Sequence, residues 1–437
     1  MRVAIIGSGP TGLFLGAALA RRGHRVTAVD RDPGPDPDGR WPRRGVMQFH
    51  HAHGVRPQVG DALLAEIPEA YAAWEAAGAE PITFVLPDGR DVRGGMRSRR
   101  ETLERALRDT VTGEPGLELR QGHVDEVLVR DGRAVGLRVD GAEVPADLVI
   151  DASGRAGRVT RDLRPRPAVY GDTGVAYVDR QYRLQPGAEP GPMSNPLAWQ
   201  ADLDGYQVIV FLHEAGIFSV LIVRPVEVTE LVGLRHEAAF EAACRAVPGL
   251  AAWTDPARAE PITPVLAGGR LINRYQAQAR PDALVLVGDA VCTTTPMFGR
   301  GLATSMMQAR ELLRLVDEAG GGLPDRDAFG AWCDEHMRPW VEDHVLTDAT
   351  MRHLWNGGEL DIDARLPSVM IMAAAEQDPE IAPALGPYLG MIAGPDSLGG
   401  VEERARAVYR SGWFPTLDDG PDRRELCAIV QGALVPA

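Results

Sequence analysis

The stretch GSGPTG, residues 7–12 and here called the early loop, decides the fold of this 437-residue chain. It follows a short apolar run, residues 3–6, and opens a segment whose apolar residues have helical spacing. In this pattern Gly7 permits a tight turn, Gly9 lets the backbone approach a pyrophosphate, and Gly12 allows a helix to pack closely on a strand. Free amides at the start of such a helix bind phosphate. The stretch therefore predicts a βαβ nucleotide-binding unit.

A ribose-binding acid is expected where the second strand of such a unit ends. Asp30 stands there, directly after the apolar run at residues 26–29. The ligand moiety is therefore an adenosine diphosphate group, and at this point FAD and NAD(P) both remain open. The predicted contacts with this group are Gly7, Gly9, Pro10, Thr11, Gly12, Asp30 and Arg31.

A second glycine-rich stretch, GDAVCTTTPMFGRG at residues 288–301, is here called the late loop. It follows another buried-strand pattern, ALVLV at 283–287, which comes too late for a contiguous Rossmann unit. Strand-like segments with turn signals fill residues 117–150, and further strand-rich segments fill 170–225. These patterns indicate an N-terminal α/β fold that an insertion interrupts and that later resumes.

We therefore predict an α/β (α+β) chain with three parts. Residues 1–165 and 270–325 form a discontinuous Rossmann-like cofactor domain, with a small β-rich part within 80–100. Residues 166–269 form an inserted β-sheet domain that binds substrate, and residues 326–437 form a helical C-terminal region.

The amino-acid composition argues against several classes of partner and of reaction mechanism. The net charge of −15 argues against nucleic acid and anionic membranes as partners. No apolar run approaches the roughly 20 residues of a membrane helix, and no secretory signal precedes the early loop. We expect a cytoplasmic monomer or homodimer that acts on a small molecule. The chain contains no lysine, which excludes every mechanism that needs a lysine amine.

Together, the early and late loops resemble those of FAD-dependent monooxygenases of the para-hydroxybenzoate hydroxylase fold. In that family a late Gly-Asp pair holds a ribityl hydroxyl of the flavin. The helix after the late loop aims its amides at the flavin ring, where they stabilise negative charge that develops on reduction. The residues that the resemblance places around the ribityl chain and the ring are Gly288, Asp289, Pro296, Phe298, Gly299, Gly301 and Leu302. No acid–base triad is expected.

Three other segments carry the same resemblance. RRGVMQFHHAHG (43–54) is similar to the flavin-facing loop of styrene-monooxygenase-like and polyether-epoxidase-like relatives, and DASGRAGR (151–158) differs from the GADG-like motif of relatives that use NAD(P)H directly. The implied donor is therefore NADPH or NADH, acting directly or through a separate flavin reductase. The further FAD contacts implied are Arg44, Arg100, Val124, Ser153 and Gly154. The spacing of His50, His51 and His53 matches no known metal pattern, so no metal is expected.

The strand-like segment GVAYVDRQYRL places Val175, Tyr177 and Asp179 on one face of a sheet. In the family that it resembles, such a sheet lies over the flavin and shapes the substrate pocket. Tyr177, Trp199 and Phe211 are therefore the predicted substrate contacts.

The resemblance implies a monooxygenase of specialised metabolism that inserts one oxygen atom from O2 into an apolar or aromatic small molecule. Hydroxylation and epoxidation, both through a flavin C4a-hydroperoxide, stay open. A flavin-dependent reductase or dehydrogenase of the geranylgeranyl-reductase type is an alternative, and a flavin-binding or NAD-binding protein without catalysis is another. Flavin-dependent halogenation is not expected, because both the WxWxIP stretch and the catalytic lysine of those enzymes are missing.

Overall fold

The structure, a computed structural model, describes residues 1–43, 45–85, 91–269 and 271–435. Strands and helices are numbered along this part of the chain. The strands are β1 (Arg2–Ile6), β2 (Arg25–Asp30), β3 (Glu80–Val85), β4 (Asp91–Arg97), β5 (Leu117–Gln121), β6 (Val124–Arg130), β7 (Arg133–Val139), β8 (Ala142–Pro145), β9 (Leu148–Asp151), β10 (Val169–Asp172), β11 (Val175–Leu184), β12 (Ala198–Leu203), β13 (Tyr206–Leu212), β14 (Ile217–Pro225), β15 (Ala259–Pro261), β16 (Leu266–Ala267), β17 (Ile272–Tyr275), β18 (Leu284–Leu286) and β19 (Cys292–Thr293).

The helices follow the same numbering. They are α1 (Pro10–Arg21), α2 (Pro57–Glu66), α3 (Pro68–Ala76), α4 (Arg100–Val111), α5 (Glu237–Ala246), α6 (Pro248–Thr254), α7 (Gly301–Glu318), α8 (Arg326–His336), α9 (Arg338–Trp355), α10 (Ser368–Ala374), α11 (Ala382–Leu389), α12 (Gly399–Arg410) and α13 (Arg423–Leu434). No helix in the described ranges has both the length and the apolar character needed to cross a membrane.

A parallel sheet with the strand order β18-β9-β1-β2-β5 forms the centre of the first core. Its middle strands are apolar runs because helices cover both faces of a parallel sheet of this kind. Ile6 pairs with Val29 on one side and with Asp151 on the other, and Asp151 also pairs with Leu286. The late strand β18 therefore joins the N-terminal sheet, which confirms the predicted discontinuous Rossmann-like fold. The carboxyl ends of these strands meet at one edge, where both loops begin.

An antiparallel sheet with the order β12-β13-β14-β11-β15 forms the second core. Side chains alternate between its two faces, as the period of a strand requires. One face carries Val178, Tyr182 and Phe218 and is covered by α5 and α6, whereas the other carries Val175, Tyr177 and other apolar residues. The mixed α/β fold class is therefore confirmed for this part of the chain as well.

The helices after residue 325 divide among three apolar clusters, because each must bury its own apolar stripe. Phe329 and Cys333 of α8 enter the core of the parallel sheet. Trp340 and Tyr388 belong to a separate cluster among α9 to α12. Leu426 of α13 packs with α5 against the second sheet. The C-terminal region is helical as expected, and the domain boundaries themselves stay a prediction.

Candidate active site

A cavity at the carboxyl edge of the parallel sheet brings the early and late loops together. The sequence separates the two loops by more than 270 residues, yet both line this cavity. The predicted site residues that line it are Gly7, Gly9, Pro10, Thr11, Asp30, Arg100, Ser153, Gly154, Tyr177, Gly288, Asp289, Pro296, Gly299, Gly301 and Leu302.

The early loop forms the end of the cavity that we call the nucleotide end. The amide of Ser8 donates to Asp30 Oδ2 at 2.8 Å, which ties the loop to the end of β2. A Cβ atom on Gly12 would lie 2.0 Å from the carbonyl oxygen of Gly7, so only glycine permits this approach of helix and turn. No side chain of the described residues caps the start of α1 at Gly9. The first amides of α1 are therefore free to bind an anion.

Arg43 crosses beneath the early loop and is almost completely buried. Its guanidinium donates to Glu104 Oε2 at 3.1 Å and to the carbonyl oxygen of Ser8 at 3.2 Å. It also lies 3.6 Å from Asp30 and 3.7 Å from Asp32. Arg43 was not among the predicted contacts, and its predicted neighbour Arg44 lies outside the described residues. In the sequence, only the arginine pair at residues 43–44 and the glutamate Glu104 pointed to this ion pair.

Asp151, at the end of β9, holds the turn that carries Ser153 and Gly154 into the cavity. Its carboxylate accepts from the Ser153 amide at 3.0 Å, from Arg164 at 2.6 Å and from the Thr160 hydroxyl. Because Asp151 is fully buried, these bonds satisfy a charge that would otherwise be costly. These bonds hold the turn in place where it faces the cavity.

In the late loop, Gly288 has a φ of +67°, and its amide donates to Gln308 Oε1 at 2.9 Å. The following carboxylate, Asp289, lines the cavity, and no donor among the described residues bonds to its oxygens. Burial raises the pKa of Asp289, although Arg100, Arg155 and Arg274 oppose that shift. An acceptor left free at this position suits a polyhydroxyl ligand, because a buried acceptor needs a donor.

The late loop then contacts the loop that carries His50, His51 and His53, here called the histidine loop. Gly299 has a φ of +61°, and a Cβ atom there would lie 3.1 Å from the carbonyl oxygen of Gly54. Phe298 was predicted to face the flavin ring, but it does not line the cavity. Its ring instead packs edge-on against His344, with centroids 5.0 Å apart. The neighbouring glycines have no side chain to hold this ring towards the cavity, whereas the C-terminal helices offer an apolar surface.

The second sheet forms the remaining wall. Tyr177 lines the cavity and clusters with Phe211 and Leu271 on the same face. The prediction for Trp199 is wrong, because Trp199 packs on the opposite face against Gly249 at the start of α6. Trp199 pairs with Val210, whereas the adjacent Ala198 pairs with Phe211, so one step along the strand reverses the face.

Asp179, on the same face as Tyr177, anchors the histidine loop. It accepts from His51 Nδ1 at 2.6 Å and from the Ala52 amide at 2.9 Å. His53 lines the cavity, and its Nδ1 donates to the carbonyl oxygen of His51 at 2.9 Å. Burial lowers the pKa of His53 to about 3, with Arg100 adding to the effect, so this imidazole is neutral near pH 7. The described residues contain no group of three side chains that could hold a metal ion.

Besides Phe298 and Trp199, the predicted contacts Gly12, Arg31, Val124 and Phe211 lie outside the cavity lining. Arg31 is exposed. Val124 is buried at the start of β6, although the amide of nearby Gly122 donates to the carbonyl oxygen of Asp30 at 2.9 Å. The contact of Val124 with FAD stays a prediction.

The donors and acceptors of the cavity fit FAD along its length. Free amides at α1 suit the pyrophosphate, Asp30 suits the ribose, and the unpartnered carboxylate of Asp289 suits the ribityl chain. Glycine at position 9 keeps this path open, because a Cβ atom there would meet nothing closer than 3.8 Å and would extend into the space that the ligand needs.

Comparison with known proteins agrees with this fit. Residues 1–52 match the family described as FAD binding domain. A kynurenine 3-monooxygenase from Salinispora arenicola is 26% identical over 383 residues, which cover 79% of this chain and 78% of that protein.

Two solved structures are similar in fold. The flavin-dependent brominase Bmp2 superposes with a TM-score of 0.68 at 15% identity, covering 94% of this chain and all of that one. PqsL of Pseudomonas aeruginosa, described as a probable FAD-dependent monooxygenase, gives a TM-score of 0.60 at 18% identity, covering 82% of this chain and 98% of that one. These structures show the fold, whereas the FAD binding domain and the similarity to the kynurenine 3-monooxygenase support the class: a flavin-dependent monooxygenase.

Proposed function

We propose that this enzyme inserts one oxygen atom from O2 into an apolar or aromatic small molecule of specialised metabolism, by hydroxylation or epoxidation. The observation that carries the proposal is the single cavity shared by the early loop, the late loop and the apolar face of the second sheet. A cofactor bound by the early loop at one end and by the late loop at the other would have its ring next to the apolar face of the second sheet.

Each part of the cavity has a distinct task in this proposal. Asp30 and the amides of α1 bind the adenosine diphosphate, and Asp289 accepts from the ribityl chain. FAD, when bound, supplies the activation of oxygen. Tyr177, Phe211 and Leu271 bind the substrate and exclude water, which protects a reactive centre from hydrolysis.

The reducing electrons come from NADPH or NADH. The turn that carries Ser153 lacks the second acid of the GADG-like motif, and this difference supports a separate flavin reductase as the electron source. Mixing the purified enzyme with NADPH or NADH alone tests this point. Rapid bleaching of the bound flavin would contradict the need for a reductase.

Removal of the ribityl acceptor tests the cofactor assignment. We expect Asp289→Ala to weaken FAD binding by about 1–3 kcal/mol, the cost of losing a buried hydrogen-bond partner, which is roughly a 5- to 150-fold rise in the dissociation constant. Asp202→Ala is the control, because Asp202 is a carboxylate near the end of β12 that does not line the cavity. Unchanged FAD affinity in Asp289→Ala would contradict the assignment.

Oxygen consumption separates the proposed activity from the reductase alternative. With reduced FAD and a panel of aromatic and alkene substrates, a monooxygenase forms oxygenated product in step with O2 uptake. A reductase would consume no O2 in proportion to product, and that result would overturn the proposal.

A further inference from the structure

Two arginines, the half-buried Arg56 and the buried Arg300, contact the late loop without lining the cavity. Arg56 donates from Nε at 3.1 Å and from Nη2 at 2.7 Å to the carbonyl oxygen of Phe298, and from Nη1 to the carbonyl oxygen of Leu389. Arg300 belongs to the loop itself and is 2% exposed. Both side chains link the loop to the C-terminal helices.

The guanidinium of Arg300 lies in a box of aromatic rings. Its Cζ is 4.5 Å from the ring centroid of Trp340, 4.8 Å from that of Tyr388 and 5.0 Å from that of Phe298. Nη1 contacts His344 Nε2 at 3.0 Å, and Nη2 donates to the Tyr388 hydroxyl. Ring faces attract a cation but carry no net charge, so they hold the arginine without neutralising it.

The carboxylates near the pair are too few to balance it. Within the described ranges no carboxylate forms an ion pair with Arg56, and Arg300 has only Asp343, at 3.6 Å. That carboxylate also accepts from Ser368 Oγ at 2.6 Å and from the Tyr388 hydroxyl at 3.1 Å. His344 is neutral, since burial and the two arginines hold its pKa well below the ordinary value. Burial and Arg300 lower the pKa of Arg56 to about 10, so it is still charged at pH 7.

Both arginines also lie at the N-terminus of a helix, where a positive charge is unfavourable. Arg56 is the N-cap of α2, and Arg300 is the N-cap of α7. The positive end of a helix dipole disfavours a cation at this position, so each placement has a cost in stability. Breaks of a local rule of this kind are expected at functional sites. Negative charge on the cavity side of the late loop would offset the cost.

We propose that Arg56 and Arg300 raise the reduction potential of the bound FAD by stabilising the negative charge of its reduced ring. Two electrons and one proton, which come from NAD(P)H directly or through the reductase, convert the neutral oxidised ring into an anion, and NAD(P)H becomes NAD(P)+. A cation in a buried, low-dielectric setting acts over a longer distance than one in water. The proposal rests on the proposed function, which places the flavin ring against residues 296–301.

Reduction potentials of the FAD-loaded enzyme, measured by equilibration with a reference dye, test the proposal. We expect Arg56→Met and Arg300→Met each to reduce the preference for reduced over oxidised FAD roughly tenfold, which lowers a two-electron potential by about 30 mV. Arg180→Met is the matched control. Arg180 is buried, as Arg300 is, but it is paired with Glu237 at 2.8 Å and Glu241 at 2.7 Å on the far face of the second sheet.

Arg300→Lys separates charge from shape. It retains the cation but loses the planar guanidinium, so its potential should stay close to that of the wild type. A lysine variant as low in potential as Arg300→Met would overturn the electrostatic role, as would unchanged potentials in both methionine variants or an equal shift in Arg180→Met. If Arg300→Met does not fold, Arg56→Met and Arg300→Lys decide the question. Wild-type protein that takes up no FAD would instead contradict the proposed function.

Discussion

The two ends of the cavity differ in whether nearby arginines are paired with carboxylates. At the nucleotide end, the cation of Arg43 lies within 3.7 Å of the carboxylates of Glu104, Asp30 and Asp32. At the late loop, Arg56 and Arg300 contact carbonyl oxygens, aromatic rings and a single carboxylate. In the proposed binding mode, the protein neutralises its own charge near the hydroxyls and the pyrophosphate of FAD, which backbone amides can bind. It leaves positive charge in excess at the late loop, where the proposal puts the ring that becomes negative on reduction.

The two ends also differ in how closely their backbones approach. Gly12→Ala should abolish FAD binding and destabilise the fold by about 3 kcal/mol or more, because its Cβ would lie 2.0 Å from a backbone oxygen. Gly299→Ala should cost only about 1–2 kcal/mol, the price of a left-handed backbone at an alanine with a 3.1 Å contact. Thermal unfolding and FAD titration check both, with Gly400→Ala as a neutral control because nothing lies near its Cβ position. A more harmful effect at Gly299 would reverse the comparison.

The carboxylate cluster of the nucleotide end can be broken at Glu104, which is fully buried between Arg43 and Arg100. We expect Glu104→Ala to destabilise the protein by about 3–5 kcal/mol, because it leaves a buried cation without its nearest partner. Chemical denaturation measures the change. Glu104→Gln, which keeps the shape and one acceptor, should cost less, and equal costs would show that packing rather than charge decides.

Asp348, which contacts Thr295 of the late loop, makes the stability of the protein depend on pH. It accepts from Asn273 Nδ2 at 2.6 Å and from the Thr295 hydroxyl at 3.3 Å, and burial raises its pKa to about 7. A carboxyl group whose pKa is higher in the folded than in the unfolded protein stabilises the fold at low pH. As the pH rises from about 4 to 7, this contribution to the free energy of unfolding is lost, by up to about 1.4 kcal/mol per pH unit. The stability of Asp348→Asn should therefore fall less over this window than that of the wild type. Parallel pH curves for the two proteins would contradict the assignment.

The smallest effect is expected at an exposed ion pair far from both ends of the cavity. Arg314 and Glu318 form an i,i+4 pair on α7, with side chains 51% and 60% exposed. Glu318→Ala should change the free energy of unfolding by less than about 0.5 kcal/mol, because solvent screens such pairs. A cost comparable to that of Glu104→Ala would show that charge loss anywhere weakens this protein.

The sequence alone determined the parts of the site that depend on local backbone geometry. The early loop, Asp30 and the late Gly288-Asp289 pair each follow an apolar strand run, and parallel strands bring their carboxyl ends to one edge. Glycine spacing and strand period are local properties, so they can be read before the chain is folded. The strand period likewise predicted that Tyr177 and Asp179 share one face of β11, as the structure shows.

Only the tertiary structure decided which charges are paired and which side chains turn away from the cavity. Arg43 and Glu104 are 61 residues apart, and Arg300 meets Tyr388 from a distance of 88 residues, so no sequence spacing predicts either contact. Trp199 was misplaced because the alternation of a strand shows which residues share a face but not which face meets the cavity. That choice depends on where α5 and α6 pack, and packing is a property of the whole chain.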